Sequence, residues 1–576
     1  MLFRSTPIER EATAGRSSSR RGAAAVAAIY GILVLLLWAP FTAHSGLPSE
    51  TVFPLLSETS GPFEGFLYRF DPLRIHTNTF YQLPYVIGEA LGIGGSYIPY
   101  QVVHALLWWA RGFLAFLLVR KFLPRAAIVS YVVGALVIVN AADGALQWIG
   151  QLNQFGFIFW MLLACYLLTS ALEADTSVVA SLLTVAACAA EYMSLWSYES
   201  QILLLLLFPV VLLLHPRQRW RRLAAMAMAW YAVPATYIWL TAMRYSQAAG
   251  HTYQESVLRK NWGLTSILSD WWFNVAASLR FWDWIRGANT STSLIFALSC
   301  LAAVVFLSGC PTLIRRHGEG PAGLFSLSPR TWWIMLATGF VVLILSFPVY
   351  LLLEAARGLW RTQLLSAAGA GVVLSATIGL VAQALPVGHA SQRFAFLAMA
   401  AAVVLCGSIG ALQLGAIHRS EWDRHRSTMA RVLRAVPNLK HEAVVILTNV
   451  PKDDDPFGHD MWFDVALRLV YPGIPVAGVY FYSDGSRAPG DNLVADDGRW
   501  KWDGTAYPPL LRDTSLANTI VVNDAASRGT GLEPTIPAYA CSEHCASGLY
   551  NPAAIISDSI SPRTVRRYRL SGGFPN

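Results

Sequence analysis

The chain has 576 residues, 55% of them hydrophobic and 14% charged, with a mean hydropathy of +0.43. Soluble chains carry about 25% charged residues, so an ordinary water-soluble enzyme is excluded, and seven cysteines in this length exclude a disulfide-stapled mini-protein. The net charge of +8 suits either a nucleic-acid partner or a membrane orientation signal, and the positions of the charges decide between them.

A run of about 20 apolar residues satisfies its own backbone amides as a helix and crosses a bilayer. Eleven spans are predicted, at 23–41, 97–119, 126–142, 153–171, 178–194, 199–214, 223–243, 291–309, 331–354, 363–384 and 394–416. The first is longer than a signal-peptide core and no A-x-A site follows it, so it is expected to be retained. With residues 1–22 as a basic cytoplasmic terminus, the inner connections hold sixteen Lys and Arg in 72 residues, against nine in 123 in the outer connections before the tail. His215-Pro-Arg-Gln-Arg-Trp-Arg-Arg222 is the strongest of these anchors. Eleven crossings place the C-terminus outside. The charge is thus an orientation signal, and no nucleic-acid partner is expected.

Four charged residues fall in or at the edges of the spans: Arg111, Glu191, Glu199 and Glu354. Such residues are costly in a bilayer and face a cavity or a partner. The three carboxylates share the outer side, which points to a polar cavity opening there. The first outer loop, 42–95, carries Glu50, Glu58, Glu64 and Asp71 beside Arg69, Arg74 and His76. A carboxylate there can take a proton from a hydroxyl, and an arginine can grip a phosphate with two hydrogen bonds. Phe80 to Gly92 reads as an amphipathic segment lying in the interface. The second long outer loop, 244–290, groups Trp271, Trp272, Trp282 and Trp284 around Arg280 and Asp283, as an interfacial aromatic belt does.

Beyond residue 416 no long apolar run remains. Ala443 to Thr448, Val476 to Tyr482 and Thr519 to Val522 read as strands, with a helix over Met461 to Val470 and another from Arg419 to Val436. The tail, 417–576, is predicted to be an extracytoplasmic α/β domain with its own core. Cys541 and Cys545 lie in it at a spacing that permits a disulfide. Asp453 to Asp455 follow the first strand as a solvated turn or, less favoured, a cation site. The fold class is therefore mainly α: a polytopic helix bundle over 23–416 with a C-terminal α/β domain.

One helix, a long acidic outer loop, many further helices and an outer α/β tail together resemble the GT-C superfamily of polytopic glycosyltransferases. Asp71-Pro-Leu-Arg74 with Gly88-Glu-Ala-Leu-Gly92 looks like the acidic loop and juxtamembrane helices of that family, while Trp148-Ile-Gly-Gln151-Leu-Asn153 and Leu195-Trp-Ser-Tyr-Glu199 look like its outer-edge motifs. The first loop lacks an Asp-Asp, Asp-x-Asp or Glu-x-Asp pair. The resemblance implies an inverting transfer from a polyprenyl-phosphate-linked sugar to a glycan or lipid acceptor at the outer face of a bacterial plasma membrane. It implies Asp71 as the catalytic carboxylate with Glu58 as the alternative, and leaves a divalent cation open. Substrate binding falls to Glu64, Arg74, His76, Glu191, Glu199 and Arg361, with Arg74 and Arg361 on the phosphate. A transporter or flippase of lipid-linked saccharides and a non-catalytic scaffold are the rival classes. Only Arg111 lies deep in the bilayer, which disfavours ion-coupled transport.

Overall fold

A computed structural model describes residues 7–46, 76, 79–216, 220–247, 258–260, 262–286, 292–317, 327–353, 362–490, 493–496, 498–502, 511, 513–525, 531–540 and 550–570. The chain divides into two compact units. One comprises 1–41, 103–148 and 152–416; the other comprises 42–102, 149–151 and 417–576. The first outer loop thus belongs to the same unit as the tail.

The first unit is helical, and a helix stands at each of the eleven predicted spans. Among the described residues eight helices are long and apolar enough to cross a membrane, and Gly22–Trp38, Ala127–Val139 and Ile202–Leu214 are shorter apolar helices. In chain order the longer helices before the α/β tail are α1 (Pro7–Trp38), α2 (Thr79–Ala90, in the second unit), α3 (Ile98–Phe122), α4 (Ala127–Val139), α5 (Leu152–Glu173), α6 (Ser177–Leu195), α7 (Ile202–Val211), α8 (Trp220–Gln247), α9 (Leu264–Leu279), α10 (Thr292–His317), α11 (Pro329–Leu345), α12 (Ala367–Ala384) and α13 (His389–Ala435). The protein is a multi-pass membrane protein.

Helix α4 is apolar all round and every one of its residues is buried, as befits the interior helix of a bundle. Small residues let its neighbours come close. A Cβ on Gly134 would sit 2.7 Å from the carbonyl oxygen of Gly112 in α3. Helix α12 packs on α4 and α11, and α5 on α6.

Helix α9 lies inside the predicted second long outer loop, 244–290, where no helix is predicted. Its polar residues Asp270, Asn274 and Ser278 are buried, whereas Leu264, Leu268, Trp272 and Phe273 are exposed. The amphipathic pattern is inverted: polar groups face the protein and apolar groups face outward.

In the second unit, three parallel strands, β2 (Ala443–Val450), β3 (Val476–Tyr482) and β7 (Thr519–Asn523), lie in the order β3-β2-β7. All three are predicted strands. Helix α14 (Asp460–Val470) connects β2 to β3 and packs on β3. An antiparallel sheet of β4 (Leu493–Asp496), β5 (Arg499–Trp502) and β6 (Asp513–Ser515) adds Leu493 and Trp500 to the core formed with Val444, Ile446 and Phe481. Short strands β1 (Asn438–Leu439) and β8 (Ile556–Ser557) pair antiparallel, and α15 (Pro562–Tyr568) is the last helix.

Candidate functional site

Helix α4 ends at Val139 and the chain turns at once. Asn140 Oδ1 accepts the amide of Ala142 at 3.3 Å, and three residues beyond the cap comes Asp143, the one charged residue between Arg125 and Glu173. Asp143 is fully buried. Its Oδ1 accepts the Ala145 amide at 2.7 Å, and its Oδ2 accepts the Leu364 amide at 2.7 Å. Burial raises its pKa to about 6, while these backbone amides and the charge of Arg111 act in the opposite direction.

Two arginines flank this carboxylate. Arg111, on α3, is buried and donates from Nη2 to the Val137 carbonyl at 2.8 Å. Its Nε and Nη1 are buried and have no partner among the described residues, and its guanidinium lies 5.3 Å from the Phe155 ring centroid. Arg286, half-buried, extends Nη2 towards the carbonyls of Ala142 and Ala141, at 3.3 and 3.5 Å. Burial lowers the Arg286 pKa and the nearby Asp143 charge opposes that shift. Tyr350 hydrogen-bonds Ser200 and lies within electrostatic reach of Asp143, Glu199 and Tyr198.

The segment that carries Leu364 is itself held from α9. Asn274 Oδ1 accepts from Gln363 Nε2 at 2.8 Å and from Thr362 Oγ1 at 3.2 Å, and the hydroxyls of Ser278 and Ser366 are 2.8 Å apart. The inverted stripe of α9 therefore fixes the backbone that clasps Asp143. At its start, Asp270 pairs with buried Arg259.

Next to this polar cluster lies an apolar cavity of about 390 Å3. Val119, Leu162, Leu204, Met335, Thr338 and Leu365 are among its lining residues. Leu365 follows the residue whose amide binds Asp143, so the cavity reaches the clasp. From Val342 to Thr331, both lining residues, α11 rises about 16 Å at the usual 1.5 Å per residue.

The sequence-derived candidates fall in three groups. Glu58, Glu64, Asp71, Arg74 and Arg361 lie outside the described residues, as do Glu354, Cys541 and Cys545. His76 is described, half-buried in the second unit, with its pKa lowered by burial. Glu199 lies within electrostatic reach of Tyr350. Glu191 is fully buried on α6 near the thiols of Cys165 and Cys188, and neither carboxylate oxygen has a partner among the described residues. Among the described residues no three His, Cys, Asp or Glu side chains group as a metal-ligand set. Of the aspartates after β2, Asp455 accepts both tyrosine hydroxyls of Tyr480 and Tyr482 and the amides of Phe457 and Gly458, and Asp454 pairs with Arg424. These contacts give the two residues structural work in the turn. Asp143 and Arg286 are the residues that sequence analysis passes over.

No family model matches the chain, and no curated protein matches it. Solved structures similar to it include two of ArnT. The crystal structure of ArnT from Cupriavidus metallidurans bound to undecaprenyl phosphate is 16% identical, with 79% of this chain and 93% of that chain covered and a TM-score of 0.37. The apo-state ArnT structure is 14% identical, with 78% and 85% covered and a TM-score of 0.37. The likeness is one of architecture, and no residue is carried across from it.

Proposed function

We propose that the protein is a membrane glycosyltransferase of the GT-C type, moving a sugar from a polyprenyl-phosphate-linked donor to a cell-envelope glycan or lipid acceptor at the outer face of a bacterial plasma membrane. The observation that carries this reading is the adjacency of an apolar slot and a charged, buried cluster. A lipid-linked sugar is itself a long apolar chain with a charged phosphate at one end, so the two parts match its two parts.

In the proposed reaction the acceptor oxygen attacks the anomeric carbon, the bond from that carbon to the donor phosphate breaks, and polyprenyl phosphate leaves. The acceptor proton passes to Asp71, or to Glu58 in the alternative assignment. Arg74 and Arg361 neutralise the growing phosphate charge, and Arg111 and Arg286 supply the positive charge of the buried cluster. Asp143 is a positioning residue: it accepts the Ala145 and Leu364 amides and lies within electrostatic reach of Arg111 and Arg286. Glu64, His76, Glu191 and Glu199 shape the sugar pocket.

The test uses protein reconstituted in vesicles with polyprenyl-phosphate sugars as donors. Transfer by the wild type and its loss in Asp71→Asn, with Glu58→Gln compared alongside, is the expected result. Wild-type rates in both variants would overturn the site assignment, and no transfer by the wild type with any donor would overturn the function.

A further inference from the structure

Four arginines crowd the end of the chain: Arg563, Arg566, Arg567 and Arg569. Each touches a described flank of the first outer loop. Arg569 donates to the carbonyls of His44 and Ala43, at 3.2 and 3.5 Å, on the loop's entering side. On the leaving side, Arg563 pairs with Glu89 at 2.6 Å, Arg566 donates to the Gly94 carbonyl at 2.9 Å, and the Arg567 guanidinium lies 5.8 Å from the Tyr97 ring centroid. Gly95 has φ +84°, and a Cβ there would stand 2.8 Å from the Arg563 carbonyl oxygen, so this approach of backbone to α15 requires glycine. The helix is anchored in turn: Tyr568 stacks on Trp422, whose ring meets that of Tyr97, and Thr564 Oγ1 bonds the Val470 carbonyl at 3.4 Å.

We infer that α15 is a clasp that holds the two described flanks, 43–44 and 89–97, together, so that turnover depends on α15. Two points 45 residues apart in sequence, His44 and Glu89, are gripped by side chains within one short helix and its cap. Closing the loop this way removes chain entropy that any catalytic geometry on it would otherwise have to overcome. Arg563, Arg566 and Arg569 are positioning residues. The inference rests on the proposed function only where it concerns turnover.

The experiment measures hydrogen exchange and sugar transfer on the full-length chain in lipid nanodiscs. In Arg566→Ala/Arg569→Ala, exchange over 89–97 is expected to rise about fivefold, the factor for one lost hydrogen bond, with β2 unchanged. Turnover should fall, and Arg566→Lys should retain much of it. Glu89→Arg and Arg563→Glu should each loosen 89–97, and the double swap should restore protection. Unchanged exchange over 89–97, or an equal rise in β2, would overturn the clasp. If exchange responds but the wild type transfers no sugar, the clasp stands and the proposed function falls; if transfer is present but exchange does not respond, the reverse holds.

Discussion

A carboxylate buried at the end of an apolar helix is costly unless backbone amides and cations meet it, and at Asp143 both do. Its pKa of about 6 sets two opposite pH effects. The stability this group contributes is complete below the ordinary value of 3.8 and is lost as the pH rises through about 6, because the buried charge must then be accommodated. Activity that needs the ionised form has the other sign and should rise through about 6. Transfer rates measured from pH 5 to 8 should therefore show an acidic limb near 6. Asp143→Asn should lower the rate about 100-fold, the scale of a lost preorganised contact, and abolish that limb. Since Arg111 holds the Asp143 pKa down, Arg111→Met should move the limb to higher pH; an unmoved limb would separate the two residues. The isolation of Asp143 in 47 otherwise uncharged residues, 126–172, is a usable sequence signal. Its partners are not legible, because a backbone amide 221 residues away leaves no residue signature.

At the scale of elements, legibility follows the strength of the apolar pattern. The helices at the eleven predicted spans and the three parallel strands are plain in the sequence because each is a continuous apolar run. The antiparallel sheet is not, since its strands have three or four residues and mix Asp496, Arg499 and Lys501 with their apolar positions. Helix α9 escapes because its polar stripe faces inward, the reverse of the pattern expected in water. If the cavity beside α11 holds the donor lipid, Thr338→Trp should raise the KM for a long-chain donor about tenfold or more, as lost burial of a few methylenes does, and leave a short-chain donor little changed. Equal effects on both would remove the lipid from the cavity. In α14, buried Asp464 and Arg468 pair at 2.7 Å, and burial raises the Asp464 pKa to about 6 against the pull of Arg468 and the Gly478 amide. Arg468→Met leaves that carboxylate without its cation and should destabilise the second unit by about 3 kcal/mol, visible as a lower melting temperature of the detergent-solubilised chain.

For the whole molecule, the basic charge resides in the connections assigned to the cytoplasm. A cysteine introduced at exposed Val494 should react with an impermeant thiol reagent from outside the cell, and labelling from the cytoplasmic side alone would contradict the eleven-crossing topology. The sequence shows that a membrane bundle is joined to an α/β tail, but not that the described flanks of the first loop, 42–46 and 79–102, group with that tail, because those contacts come from residues more than 300 positions on, among them Trp422, Arg563, Arg566 and Arg569. The most direct test of the central claim is sugar transfer by purified wild-type protein in vesicles, with a panel of polyprenyl-phosphate sugars and an envelope-lipid acceptor. Transfer that releases polyprenyl phosphate and depends on Asp143 is the expected result. No transfer with any donor, from protein that is folded and inserted, would contradict it.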